Sequence, residues 1–215
     1  MELITTIFEL FQQRSDQVWA ALQQHMFLVF VSMGLAVLIA VPIGVSLTGM
    51  RRYAEPVIGV TAVAQTIPSL ALLGFMLPLL GIGSTNAIFA LTIYALLPVM
   101  RNTYTGILEV DQSAVQAGKG MGMTRVQILR KIELPLAMPV IMAGIRTATV
   151  IVIGIATLAT FVGAGGLGDV IMRGMAVQNS ALTLLGAIPA AILAIVTDFI
   201  LKRIENWVTP KGIKH

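Results

Sequence analysis

The chain predicts an all-α integral membrane protein of about five transmembrane helices with a helical cytosolic loop, and three observations predict it. The first is composition: of 215 residues 57% are hydrophobic and 11% charged, and the mean hydropathy is +0.90. A soluble domain carries roughly 25% charged residues, so this chain has too little polar surface to cover a water-facing globule. The second is segment length. Apolar stretches near 24–49, 57–80, 85–108, 138–161 and 181–201 each reach the roughly 20 residues a helix needs to cross a bilayer. The third is the distribution of basic residues among the connections.

An odd number of spans places the termini on opposite sides. Arg51, Arg52, Lys119, Arg125, Arg130, Lys131, Lys202, Arg203, Lys211 and Lys214 then share one side, and only Arg14 and Arg173 lie on the other. The positive-inside rule makes the first side the cytosol, with the N-terminus outside and the C-terminus inside. The net charge of +4 reads as this topology rather than as nucleic-acid affinity. Cysteine is absent, which excludes a disulfide framework and a thiolate metal site, and the two histidines, His25 and His215, are too far apart to suggest zinc. No catalytic residue and no cofactor is expected.

Residues 1–23 carry Glu2, Glu9 and Asp16 against Arg14, unlike the positive start of a cleavable signal. Ile4, Ile7, Phe8 and Phe11 fall at helical spacing, which fits a short helix on the membrane surface; a frayed tail leading into the first span fits equally. Trp19 and Trp207 lie just beyond the first and last spans, where indoles settle at the interface. Ala36, Ala40 and Gly44 repeat every four residues in the first span, as do Gly186, Ala190 and Ala194 in the fifth. Such stripes let helices approach closely in a solvent that does not drive their association. Pro42, Pro68, Pro78, Pro98 and Pro189 interrupt spans, and several broken helices fit a transport pathway better than an anchor. Arg101 and Arg146 fall in or near the cytosolic halves of the third and fourth spans, where they either snorkel to the interface or line an inner mouth, and Asp198 is placed to pair with a neighbouring base.

Residues 109–137 form the long cytosolic connection and have helical grammar. Ser113 to Gln116 and Thr124 to Gln127 match the capping-box spacing, which predicts helices over about 114–121 and 125–133 with a sharp turn at Gly122. Pro135 suits the first turn of the next span. In the second short helix Val126, Leu129 and Ile132 form an apolar stripe with Ile128 beside it, suited to headgroups or to a partner's groove. A basic tail follows from 202.

Gln116-Ala117-Gly118, then Gly122, then Ile132, Leu134 and Pro135 resemble the E-A-A…G…I-x-L-P loop of binding-protein-dependent ABC importer permeases. The glycine and the Ile-x-Leu-Pro end agree in spacing; Gln116 replaces the acid and Gly118 the second alanine, so a salt bridge from that position is not available and a hydrogen bond is. The resemblance covers roughly residues 20–205. Gln65–Leu70, Leu97–Tyr104, Ala117–Thr124, Leu134–Arg146 and Gly163–Asp169 are similar to the glycine betaine, carnitine and choline branch. It implies the MetI-like permease fold in a bacterial cytoplasmic membrane, with an extracellular segment 1–23, a permease domain 24–201 containing the coupling loop 109–137, and a cytosolic tail 202–215. It further implies separate ABC ATPase subunits gripping the loop, a second permease copy, identical or related, and an extracellular solute-binding protein.

Two motifs point elsewhere and fail on context. Gly163, Gly165 and Gly168 spell G-x-G-x-x-G but follow a membrane helix rather than a strand, so a flexible outer loop is expected, by resemblance one that meets the binding protein. Gly118-Lys119 lacks the following hydroxyl residue of a phosphate-binding loop, so ATP hydrolysis belongs to another chain. The twelve methionines read as packing rather than as a soft-metal path. Two Trp and three Tyr are few for an aromatic cage around a quaternary ammonium. The competing functions are the same machine carrying methionine or another amino acid, a self-sufficient carrier or channel, and a non-transporting scaffold.

Overall fold

The computed structural model describes residues 2–209, and among them all regular structure is helical. Helix α1, Glu2–Gly49, is one 48-residue element with a break in helical geometry at Arg14 (φ −123°, ψ 18°). The segment before the first span is thus helical and continuous with it, and Ile7, Leu10 and Ala21 pack with Val18 against Val170, Leu182 and Leu185. Met1 and the side chain of Ile4 lie outside the described residues, as do Lys211, Lys214 and His215 of the tail.

The second expected span is not one helix. It divides into α2, Arg51–Thr66, and α3, Ser69–Leu80, bent by 98°. The cause is local: proline drives its predecessor out of the α region, and Ile67 is extended (φ −66°, ψ 127°) ahead of Pro68. The carbonyl this frees on Ile67 accepts from the Tyr94 hydroxyl, and Gln65 Nε2 donates to the Tyr94 carbonyl at 3.0 Å, so the break is satisfied by the neighbouring helix. Among the described residues four helical segments are long and apolar enough to cross a bilayer, Thr5–Gly49, Ser84–Leu108, Arg125–Val162 and Ser180–Val208; the bent pair makes a fifth if it counts as one span.

Helix α4, Ser84–Leu108, occupies the centre. Its Ala87, Ala90, Leu91, Ala95 and Val99 are fully enclosed, together with Ala36 and Ala40 of the small-residue stripe read from the first span. Gly44 ends that stripe; a Cβ there would stand 2.8 Å from Thr103 Cβ. On the other flank lies α7, Leu134–Ala156. A Cβ on its Gly144 would stand 2.5 Å from Asn102 Cβ and 2.7 Å from the Pro98 carbonyl oxygen. Three elements therefore meet at backbone distance, which in lipid replaces the hydrophobic drive for helix association.

The fourth span starts earlier than expected. A short helix α6, Arg125–Ile128, passes through a π turn, Leu129–Glu133, directly into α7, and a 3₁₀ turn, Thr157–Val162, ends the span. Residues 125–137 are thus part of the span helix rather than of a separate loop. The glycine-rich connection between α7 and the next helix is also ordered. Gly163, Gly165 and Gly166 adopt φ of 70°, 77° and 90°, and the chain then enters α8, Leu167–Ala176. Gly168 lies inside α8, where a Cβ would come within 1.9 Å of the Thr157 carbonyl oxygen, so the position admits only glycine. Its glycines serve tight turns and close packing, not looseness. Helix α9, Ser180–Val208, completes the bundle and extends seven residues past the expected end of its span at 201 (208 − 201). Its Gly186 packs on Ile171, and Ala190 is buried.

Gly144→Ala should lower the stability of the solubilised protein by about 1–3 kcal/mol through overpacking. Gly34→Ala, with nothing within 4 Å of the added carbon, should leave it unchanged. Thermal unfolding in detergent checks both, and equal melting of the two variants would contradict this packing.

Candidate functional site

The connection between α4 and α7 is built from three local devices. The first is the cap of α5, Gln112–Gly120. Its N-cap is Asp111 rather than the expected Ser113: the Asp111 carboxylate accepts from the Ser113 backbone N–H at 2.8 Å and from its hydroxyl at 2.8 Å. These bonds hold the carboxyl below its ordinary pKa, the backbone donor contributing most.

The second device closes α5. The Met123 N–H donates to the Gly118 carbonyl at 3.1 Å and the Gly122 N–H to the Lys119 carbonyl at 3.0 Å. This is the paired C-terminal closure that needs a left-handed residue, and Gly122 supplies φ +75°. The third is the capping box of α6, where Thr124 N–H donates to Gln127 Oε1 at 2.8 Å and Gln127 N–H to Thr124 Oγ1 at 3.3 Å. Asp111 and Gly122 therefore define α5, and Thr124 starts α6.

The apolar stripe read from sequence divides in space. Val126 is 58% exposed, whereas Leu129 packs against the cluster of Ile107, Val110, Val115, Ile128, Ala137 and Ile141. Ile132 turns toward α5, where a Cβ on Gly118 would meet Ile132 Cδ1 at 2.6 Å. Gln116 and Ala117 are exposed on the outer side of α5, and Met121 is 74% exposed at the turn. Leu134 and Pro135 are half-buried at the start of α7. The π turn, in which the Leu134 N–H reaches back to the Leu129 carbonyl, shifts the ladder one residue just ahead of the donor that Pro135 lacks.

Two further contacts tie this element to the bundle. Arg125 lies over the last residue of α1, with its Nη2 2.7 Å from where a Gly49 Cβ would be, so a guanidinium sits at a helix C-terminus where positive charge is favoured. Deeper in α7, Arg146 forks onto Asp198 (Nε to Oδ1 3.0 Å, Nη2 to Oδ2 3.1 Å) and also donates Nη1 to Glu205 Oε2 at 2.9 Å. The two carboxylates stand two turns apart on one face of α9. Arg101 is exposed and has no ion pair among the described residues.

Residues 36–211 match the family described as binding-protein-dependent transport system inner membrane component. The chain belongs to this family: it is a permease subunit of an ABC importer. This permease is 48% identical over 191 residues to the glycine betaine/carnitine/choline transport system permease protein OpuCB of Bacillus subtilis, covering 89% of this chain and 88% of that protein. It is 46% identical to the choline transport system permease protein OpuBB of the same organism, over 97% and 96% of the two chains. The osmoprotectant import permease protein OsmW of Salmonella typhimurium is 43% identical over 89% and 91%. Among solved structures, the MetNI methionine ABC transporter in an inward-facing conformation matches with a TM-score of 0.82 at 25% identity, over 90% of this chain and 96% of that one. Membership implies an ATPase and a solute-binding protein as partners and places the permease in the inner membrane as a multi-pass protein.

Within the permease, Gly118, Leu129 and Ile132 come together, while Gln116, Ala117 and Val126 face away from the bundle. Sequence reading missed the Asp111 cap, the Arg125–Gly49 contact and the role of Glu205; only the last had a visible signal, its spacing of seven from Asp198.

Replacing Arg146 by Gln should cost about 1–3 kcal/mol, the range for lost charge-assisted hydrogen bonds, and Arg146→Gln with Asp198→Asn should be less than additive. Melting of the four proteins in a double-mutant cycle decides it; strict additivity would mean the fork does not form. Gly122→Ala should add about 1–2 kcal/mol of left-handed strain. Faster amide exchange at Gly122 and Met123 is the expected reading.

Proposed function

We propose that this permease moves a small compatible solute of the glycine betaine, carnitine and choline type into the cytosol, driven by a separate ATPase docked on the element from Asp111 to Pro135. The observation that carries the docking role is the single helix running from Arg125 through the π turn into α7. A push on α6 is delivered to the span without a flexible joint, so ATP-driven closure becomes a rigid-body change of access. Val126, Met121, Ala117 and Gln116 form the outward face that meets the ATPase, with Gln116 contributing a hydrogen bond. Gly118, Leu129, Ile132, Leu134 and Pro135 hold that face on the bundle, and Gly122 sets the turn.

The cargo class rests on relatives at 43–48% identity whose names cover choline, carnitine, glycine betaine and osmoprotectants. The methionine transporter, at 25%, supports an amino-acid cargo less. Trp19 and Trp207 are 61% and 87% exposed at opposite ends of the chain, and the Tyr94 hydroxyl is engaged by Ile67, so these rings do not form a cage. Selection of the solute accordingly falls to the binding protein, and the permease supplies the path. The ten-to-two skew of basic residues supports an outer N-terminus and a cytosolic C-terminus. A second permease copy pairs with this one, on apolar surface such as Phe75 and Leu79 of α3, 72% and 70% exposed.

Reconstituted with its ATPase and binding protein, the permease should accumulate labelled glycine betaine, carnitine or choline only with ATP inside. Val126→Asp should reduce uptake at least about tenfold and the ATPase should no longer co-purify, since an acid in an apolar contact costs more than 1.4 kcal/mol. Full uptake by well-inserted Val126→Asp would sink the docking face. Uptake by the permease alone would sink the ATP-driven reading. Competition by methionine but by none of the three solutes would sink the cargo and leave the coupling intact.

A further inference from the structure

The skew of basic residues has two exceptions, and the fold brings both to one place. Arg14 and Arg173 line the same cavity of about 300 Å³ at the end of the bundle opposite the coupling element. Arg14 comes from α1 and Arg173 from α8, 159 positions apart in sequence (173 − 14). Neither guanidinium has an ion pair among the described residues. The carboxylate on the cavity wall, Asp169, accepts from the Thr160 hydroxyl and is not bridged to either arginine. The lining groups thus sum to one net positive charge.

The remaining wall is graded. Gln24 closes the floor, where its Nε2 donates to Ser84 Oγ and to the Ala164 carbonyl, each at 3.1 Å. Above it Val18, Leu182 and Leu185 are apolar and buried. The arginines and Gln17 stand exposed at the rim. Depth is marked by Trp19, 61% exposed on α1 between the rim position 14 and the floor position 24. An indole there sits at the level of lipid headgroups. The walls on either side, α1 and α9, belong to spans whose apolar 18-residue stretches are only 33% and 11% buried, so the cavity lies at the lipid-facing edge.

We infer that this cavity binds the phosphodiester of a monoanionic lipid, of the phosphatidylglycerol class, in the leaflet opposite the coupling element. Arg14 and Arg173 each donate to the phosphate from opposite sides, and the glycerol and first acyl carbons lie on Val18, Leu182 and Leu185. Arginine is the residue that matches phosphate oxygens in a fork, and a half-dry rim strengthens that bond. The bound lipid closes the angle that α1 makes at its Arg14 break against α8 and α9. The site is independent of the transported solute.

The test uses the permease purified with its partners and placed in phosphatidylcholine nanodiscs doped with phosphatidylglycerol, then released for native mass spectrometry. One phosphatidylglycerol per permease chain should be retained, and Arg14→Gln and Arg173→Gln should each reduce retention about tenfold, the worth of one charge-assisted contact. Melting of both variants in pure phosphatidylcholine should equal that of the parent, because neither arginine has an ion-pair partner among the described residues. Equal retention of phosphatidylglycerol by the double variant would overturn the site. Inorganic phosphate stabilising the parent, but not the variants, with no lipid retained would overturn the lipid as source and assign a soluble phosphate instead.

Discussion

Close backbone approach around α4 is the constraint on which the rest of the structure depends. In lipid, apolar side chains gain nothing by leaving solvent, so helices hold together only where atoms meet at short range or polar groups pair. Gly44 on α1 and Gly144 on α7 place their neighbours against Thr103, Asn102 and the Pro98 carbonyl, and Gly106 admits Val140. With α4 gripped on both sides, its Tyr94 and Asn86 are positioned to satisfy the broken α2–α3 unit: Tyr94 takes the Ile67 carbonyl, and Asn86 Nδ2 donates to Leu73 and Gly81 carbonyls at 3.3 and 3.1 Å. A discontinuous helix in a membrane is stable only under that condition.

The element from Asp111 to Pro135 inherits its stiffness from this core. Its own hydrogen bonds are local, but its direction is set by continuity with α7, which α4 holds at Gly144 and α9 holds through Arg146. Arg125 adds a contact to the end of α1. The same long helix therefore joins the α5–α6 turn, the central packing and the ionic clamp. Movement imposed at one end is therefore shared by α4 and α9.

Part of this was legible in the residues. The Thr124–Gln127 box and the turn at Gly122 follow from side-chain chemistry within a few positions, and both stand where spacing placed them. The Ser113 box did not form because Asp111, two residues earlier, competes for the same backbone donors with a charged acceptor. The expected span 57–80 broke at Pro68, one of the five prolines read as interrupting spans; Pro42, Pro78, Pro98 and Pro189 stay inside helices. Nothing local separates Pro68 from the others. What differs is the presence of Tyr94, whose hydroxyl donates to the freed Ile67 carbonyl. The glycine run 163–168 read as looseness because glycine permits either a loose or a tight path, and only the nearness of Thr157 decides between them.

By itself the sequence determined the solvent, the number of apolar segments, the side bearing the basic residues and the family, because each depends on composition, segment length or residues close together along the chain. Tertiary structure alone decided which of Val126, Leu129 and Ile132 faces out, that Arg146 is held by Asp198 and Glu205 rather than snorkelling free, and that Arg14 and Arg173 share a cavity. Those outcomes depend on the rotation of one helix against another, and a helix's own periodicity leaves that angle open.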